Sequence, residues 1–135
     1  MIDFMRKILF RGQRFDNVWV EGYLFAKPIL EKYFILCGEE QWMVKPDTIG
    51  QYTGEIDKNG NKIFEGDIID ASNEWWDAAG YAGHDSPIIL VQWDECECGF
   101  APFSTYDSDC GVSINASRCE VIGNIHDNPE IKWCD

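Results

Sequence analysis

The residues whose spacing comes nearest to a known chemistry lie between Gln51 and Asp70, where Glu55, Asp57 and Asn59 offer side-chain oxygens at alternate positions ahead of Gly60. The front half of a calcium loop needs this order, with three oxygen ligands followed by glycine at the sharp turn. The back half fails. The twelfth position, which requires a bidentate glutamate, is Gly66, with Glu65 one residue early, and the flanks read as strands rather than helices. No calcium is expected here.

The cysteines are the next candidates. Cys96, Cys98, Cys110 and Cys119 would supply four thiolates, enough for a tetrahedral zinc site. Zinc knuckles place two to four residues between paired ligands, whereas one residue separates the first pair here and eight separate the second. Reduced cysteines filling part of a β core are the expected state, and this includes Cys37 and Cys134. The chain opens without a basic, then apolar, then small-residue leader, so a reducing, cytoplasmic compartment is expected. In that compartment the Asn115-Ala116-Ser117 sequon carries no sugar. No cofactor is expected.

Nucleophilic catalysis needs a base, and the two histidines, His84 and His126, have no nucleophile motif near them. The chain contains no Gly-x-Ser-x-Gly, no phosphate-binding glycine loop and no His-Glu-x-x-His. Carboxylates are abundant: with 24 Asp and Glu, close pairs arise by chance and do not identify a catalytic dyad. No catalytic residue is assigned. The pair Trp75-Trp76, flanked by Glu74 and Asp77, has a different use, because tryptophan is enriched at the centres of protein interfaces. These four residues are the candidate partner-binding set. The competing reading folds at least one indole back over the end of a barrel.

The elements that must position these groups are strands. Asn59-Gly60, between Ile56 and Ile63-Phe64, is the pair best suited to a type I′ hairpin turn. A two-residue loop there sets Lys58 opposite Asn61, Asp57 opposite Lys62 and Ile56 opposite Ile63. Upstream, Lys7 to Phe10 and Val18 to Phe25 read as strands joined through Phe15-Asp16-Asn17. Tyr33 to Cys37 is an apolar run ended by Gly38, and Gln41 to Val44 returns to a turn at Lys45-Pro46-Asp47. Downstream, Glu65-Gly66-Asp67 turns into Ile68-Ile69, residues 71–87 read as a long loop, and Ile88 to Trp93 is a strand. Gly99 to Phe103 pairs with that strand, and Arg118 to Ile122 is the last. No stretch carries an amphipathic helix of ten residues. The expected fold is mainly β with few or no long helices. A single domain, residues 1–135, holds an N-terminal meander over 1–50 and, over 51–135, the hairpin followed by a small, bent, SH3-like or similar barrel.

The stretch QYTG, DKNG and EGDII within residues 51–69 resembles the central signature of the YopX-like proteins of bacteriophages and prophages. The ends agree. Lys7 to Gly12 followed by Trp19-Val20-Glu21-Gly22-Tyr23-Leu24 is similar to the family's opening pattern. Glu120 to Pro129 is similar to its closing pattern, with His126 where tyrosine is usual. The segment from Ala71 to Pro87 departs from it. The resemblance implies a phage or prophage accessory protein and supplies no reaction.

Charge narrows the classes further. Of the net −13, all falls in residues 63–135, where fifteen acidic side chains meet only Arg118 and Lys132. Such a surface repels phosphate backbones and anionic lipid, so neither nucleic acid nor membrane is an expected partner. A basic protein surface is, and so is another copy of the chain, whose Arg6, Lys7, Arg11 and Arg14 are available to the carboxylates. The leading expectation is a non-enzymatic, protein-binding, homo-oligomeric protein. Two alternatives are an acidic decoy imitating DNA toward a nucleic-acid-binding protein of the host, and a small hydrolase or nuclease with a carboxylate-bound metal.

Overall fold

The computed structural model describes residues 7–71, 88–96, 98–103 and 114–133. The protein is mainly β, and its only helical segments among the described residues are three single 3₁₀ turns. Backbone contacts divide it into two compact units, Met1–Gly54 and Glu55–Asp135.

In the first unit, β1 (Phe10–Gln13), β2 (Trp19–Lys27), β3 (Lys32–Cys37), β4 (Glu40–Val44) and β5 (Gly50–Ile56, which runs on past Gly54) lie in the order β4-β3-β2-β1-β5. The turns dictate this antiparallel meander. Between β1 and β2, Asn17 N–H donates to Arg14 O at 2.9 Å while Asn17 sits at φ 71°, a left-handed position that asparagine tolerates better than most residues. Between β3 and β4, Gly38 takes φ 62° in a two-residue loop facing Cys37 to Glu40, as the first central residue of a type II′ turn requires.

The first strand begins three residues later than the apolar run Lys7 to Phe10 suggests. The Phe15-Asp16-Asn17 turn fixes the register Phe10 to Gly22 through Gln13 to Trp19, which draws Gly12 and Gln13 into the strand. Gly12 is needed there because a Cβ would lie 2.9 Å from the Val44 side chain. Lys45 N–H donates to Gln13 O at 2.8 Å, and Arg14 forms a bridge with Val44. Thr48 Oγ1 accepts from Gln13 N–H at 2.9 Å and donates to Lys45 O at 2.7 Å. The end of β1 is thereby tied to the end of β4, and the meander curls over Ile35 and Val44, both essentially fully buried.

In the second unit the chain continues through β6 (Lys62–Phe64), β7 (Asp67–Asp70), β8 (Ile88–Leu90), β9 (Gln92–Asp94), β10 (Gly99–Ala101) and β11 (Glu120–Asn124). β7 is the centre of a three-stranded antiparallel sheet between β11 and β8, and β9 pairs with β10. A register shift between Val121 and Gly123 bends β11 against β7. Among the described residues these are bent open sheets rather than a closed ring. Ile63, Ile69, Ala71, Val91, Ala116 and Cys119 are buried together, with Ile89, Phe103, Ile114 and Val121 packed around them. Burying each large aliphatic side chain contributes about 1.5–3 kcal/mol.

The expected strand Ile88 to Trp93 is two strands. Val91 interrupts it: its N–H donates to Asp67 O at 2.8 Å, its carbonyl accepts from Gly66 N–H at 2.9 Å, and its side chain is fully buried. Before this anchor the chain pairs with β7, and after it with β10. The expected pairing of the Gly99 stretch is present in the register Gly99 to Asp94.

The Asn59-Gly60 hairpin forms, but with a three-residue loop. Asp57 N–H donates to Asn61 O at 2.9 Å and Gly60 N–H to Asp57 O at 3.1 Å; Gly60 alone takes a positive φ, 84°. Asp57 therefore lies opposite Asn61 rather than Lys62. A one-residue slip reverses every facing side chain, so Ile63 is buried while Ile56 is left in solvent. Nothing lies within 4 Å of where a Gly60 Cβ would stand, so a substitution there suffers from backbone conformation alone. Gly60→Val should cost roughly 1–3 kcal/mol, because a β-branched residue is forced into positive φ. Urea unfolding measures it, and an unchanged midpoint would contradict this turn geometry.

Candidate functional site

Asp57 is an elaborately held side chain of the second unit. It is a carboxylate only 4% exposed, placed by the hairpin so that both oxygens meet N–H groups. Oδ1 accepts from Asn59 N–H at 2.9 Å and from Asn61 N–H at 2.8 Å. Oδ2 accepts from Val121 N–H at 3.0 Å and from the Asn61 side-chain amide at 3.4 Å. Burial pushes this carboxyl up, but the backbone N–H groups of Val121, Asn61 and Asn59 outweigh it and hold Asp57 below its ordinary pKa. Lys58 extends the junction: its N–H donates to Cys119 O at 2.9 Å, and its ammonium lies 3.3 Å from Glu120. Asp57 thus fastens the hairpin to the start of β11, and its oxygens are turned to N–H donors.

Asp67 plays a similar part nearby. Its carboxylate is buried, and Oδ2 accepts from Phe64 N–H at 2.8 Å across the Glu65-Gly66 turn, where Gly66 has φ 96°.

The described cysteines differ in burial. Cys96 and Cys98 are exposed, with Cys96 N–H donating to Asp94 Oδ1 at 2.9 Å, whereas Cys119 is buried in the core of the second unit. Among the described residues no three His, Cys, Asp or Glu side chains come together as a metal would require. His126 is half-buried in the turn after β11, where its N–H donates to Asn124 Oδ1 at 2.9 Å. Glu74, Trp75, Trp76 and Asp77, with His84, Cys110 and Cys134, lie outside the described residues.

The first unit carries a surface that the sequence reading passed over. Residues directly opposite each other on neighbouring strands share a face. One face of β2, β3 and β4 accordingly collects Tyr23 with Leu36, Phe25 with Phe34 and Met43, and Lys27 with Lys32. The opposite face holds Ile35 and Val44, both buried. On the outward face Tyr23 is 65% exposed, Phe25 43% and Met43 42%. The Phe25 and Phe34 rings lie 6.2 Å apart, and the Lys27 ammonium stands 5.9 and 6.0 Å from their centroids. Lys27 and Lys32 are directly opposed, which is unfavourable for two like charges. Among the described residues neither is in an ion pair. Beyond this face the 3₁₀ turn Pro28–Leu30 leaves Ile29 and Leu30 exposed.

The sequence did contain a signal for it. Tyr33 to Cys37 is apolar at both parities, and so is Tyr23 to Ala26, although a strand with one wet face should alternate. Arg11 and Arg14 are engaged within the unit, their guanidinium carbons 4.9 Å from the Trp19 ring and 4.2 Å from the Trp42 ring, and Arg14 also bonds Asp16 at 2.6 Å.

Among the described residues no helix is long and apolar enough to cross a membrane. No curated protein matches the chain. A solved structure, the crystal structure of protein EF1440 from Enterococcus faecalis, is similar at 21% identity over 92% of this chain and 96% of that chain, with a TM-score of 0.49. The model of the YopX protein family matches residues 16–131, which include the Trp19 to Leu24 part of the opening motif and the hairpin and closing motifs in order. The chain belongs to the YopX protein family.

Proposed function

We propose that this chain is a non-enzymatic protein-binding module that self-associates, acting as an accessory protein of a phage or prophage in the cytoplasm of the bacterial host. The observation that carries this reading is the exposed face of Tyr23, Phe25, Phe34 and Met43. Contiguous apolar surface of this kind marks interaction sites on soluble proteins. Charge supports the same reading. Residues 1–54 hold seven acidic and seven basic side chains, while residues 55–135 hold seventeen against four and carry the whole net charge of −13. The acidic part favours basic protein surfaces and disfavours duplex nucleic acid and anionic membranes.

Sedimentation velocity from about 0.01 to 1 M salt tests the reading. An assembly larger than the monomer is expected, loosening as salt rises because screening weakens pairing between acidic and basic surfaces. A strict monomer at every salt concentration would overturn self-association, and tight binding to bare duplex DNA at physiological salt would overturn the charge argument.

A second reading, an acidic decoy presented to a host nucleic-acid-binding protein, is favoured by one observation: no lysine or arginine occurs from Ile63 to Ser117. A monomer whose melting temperature rises with moderate salt, and which competes with DNA for a basic protein, would select that reading.

A further inference from the structure

We infer that the outward face of β2, β3 and β4 receives the acidic, tryptophan-bearing segment Glu74-Trp75-Trp76-Asp77 of a second copy of this chain. The inference rests on the self-association proposed above and names the two surfaces that meet. The face has two parts with different needs. Tyr23, Phe25, Phe34 and Met43 offer aromatic and thioether surface, which gains most from burying a large flat apolar side chain. At its edge Lys27 and Lys32 stand opposite each other, exposed and without an ion-pair partner among the described residues, so their repulsion is relieved by a carboxylate placed against both. The matching occupant is a short segment with indoles in the middle and a carboxylate on either side.

This chain contains such a segment once. Glu74 and Asp77 bracket two adjacent tryptophans, and no lysine or arginine lies within residues 63–117 to compete for those carboxylates. Arg11 in β1 and Arg14 just after it are engaged elsewhere, Arg11 over Trp19 and Arg14 over Trp42 and against Asp16. The lysine pair borders the exposed aromatic surface, with Lys27 beside the Phe25 and Phe34 rings. Tryptophan in an aromatic, partly desolvated site is a typical anchor of binding energy, and the flanking charges set register and encounter rate more than affinity.

The test is charge reversal in the full chain. Lys27→Glu/Lys32→Glu changes two exposed side chains, and Glu74→Lys/Asp77→Lys reverses the proposed partner; circular dichroism and melting establish that each variant is folded. Each variant alone should self-associate at least roughly tenfold more weakly by sedimentation equilibrium, and an equimolar mixture of the two should regain the association. Trp75→Ser/Trp76→Ser should weaken association likewise, with no recovery when mixed with Glu74→Lys/Asp77→Lys, because both variants then lack a working segment. In a mixture of isotopically light and heavy wild-type protein, zero-length carbodiimide coupling should join a light peptide bearing Lys27 or Lys32 to a heavy one bearing Glu74 or Asp77. Self-association unchanged in Lys27→Glu/Lys32→Glu would overturn this pairing of surfaces while leaving self-association intact. A wild-type monomer would overturn both. Couplings found only within single molecules would overturn the second-copy occupant.

Discussion

Replacing Asp57 with alanine is expected to destabilise the fold by about 3 kcal/mol or more, because three backbone N–H groups, those of Asn59, Asn61 and Val121, lose a charged acceptor together. The site is buried, so water replaces the lost bonds poorly, and the hairpin loses its fastening to β11, 64 residues away in sequence. Asp57→Asn should cost less, since its one amide oxygen serves only part of the donor set. The pH dependence has a definite sign. The Asp57 pKa is depressed in the folded state, so its contribution is present above the unfolded value near pH 3.9 and is lost as pH falls through the lower folded value. The difference in unfolding free energy between wild type and Asp57→Asn should therefore shrink as the solution is acidified below about pH 4. Urea titrations at a series of pH values measure this, and an Asp57→Ala variant as stable as wild type at neutral pH would remove Asp57 from its place at the junction.

Gly22→Ala should be comparably damaging for another reason. The added Cβ would fall on the Leu36 carbonyl oxygen, closer than side chains approach backbone, with the Ile35 side chain behind it at 3.3 Å. Leu36 belongs to β3, which is paired on both sides with β2 and β4, so the strand cannot yield without breaking the register Tyr23 to Leu36 or Leu36 to Gln41. A cost of about 3 kcal/mol or more is expected, at the upper end for overpacking a core, because the obstacle is backbone rather than a flexible side chain. Gly22 differs here from Gly60, whose role is conformational. Thermal unfolding with backbone amide spectra of the β2–β3 residues decides the matter, and a variant with wild-type melting and unshifted amides would contradict the close approach. The exposed aromatic face depends on the same pairing, so loss of register should also abolish the self-association proposed above.

The turns were legible in the sequence because their requirements are local. Asn17, Gly38 and Gly60 sit where a left-handed conformation is needed, and that need is set by the few residues on either side. The type of the Gly60 turn was not legible. Asn59-Gly60 alone favours a two-residue loop, but the Asp57 carboxylate accepts from Asn59 and Asn61 and lengthens it to three. The partner that completes this arrangement, Val121, is too distant for any local pattern to reveal. The break at Val91 is hidden in the same way, since an unbroken apolar run looks identical whether it pairs with one neighbour or changes neighbour midway.

By itself the sequence determined the strand-rich character, the absence of long amphipathic helix among the described residues, the places where the chain reverses, and a charge division that leaves every unit of net charge in the second part. These follow from composition, period and dihedral preference, each a property of neighbours along the chain. Only the tertiary structure decided register and sidedness. It made Ile63 core and Ile56 surface, sent the two ends of one apolar run into different sheets, and turned Tyr23, Phe25 and Met43 outward beside Lys27 and Lys32. Strands apolar on both faces state that two surfaces need covering, and which one the protein itself covers is settled by how its sheet curls.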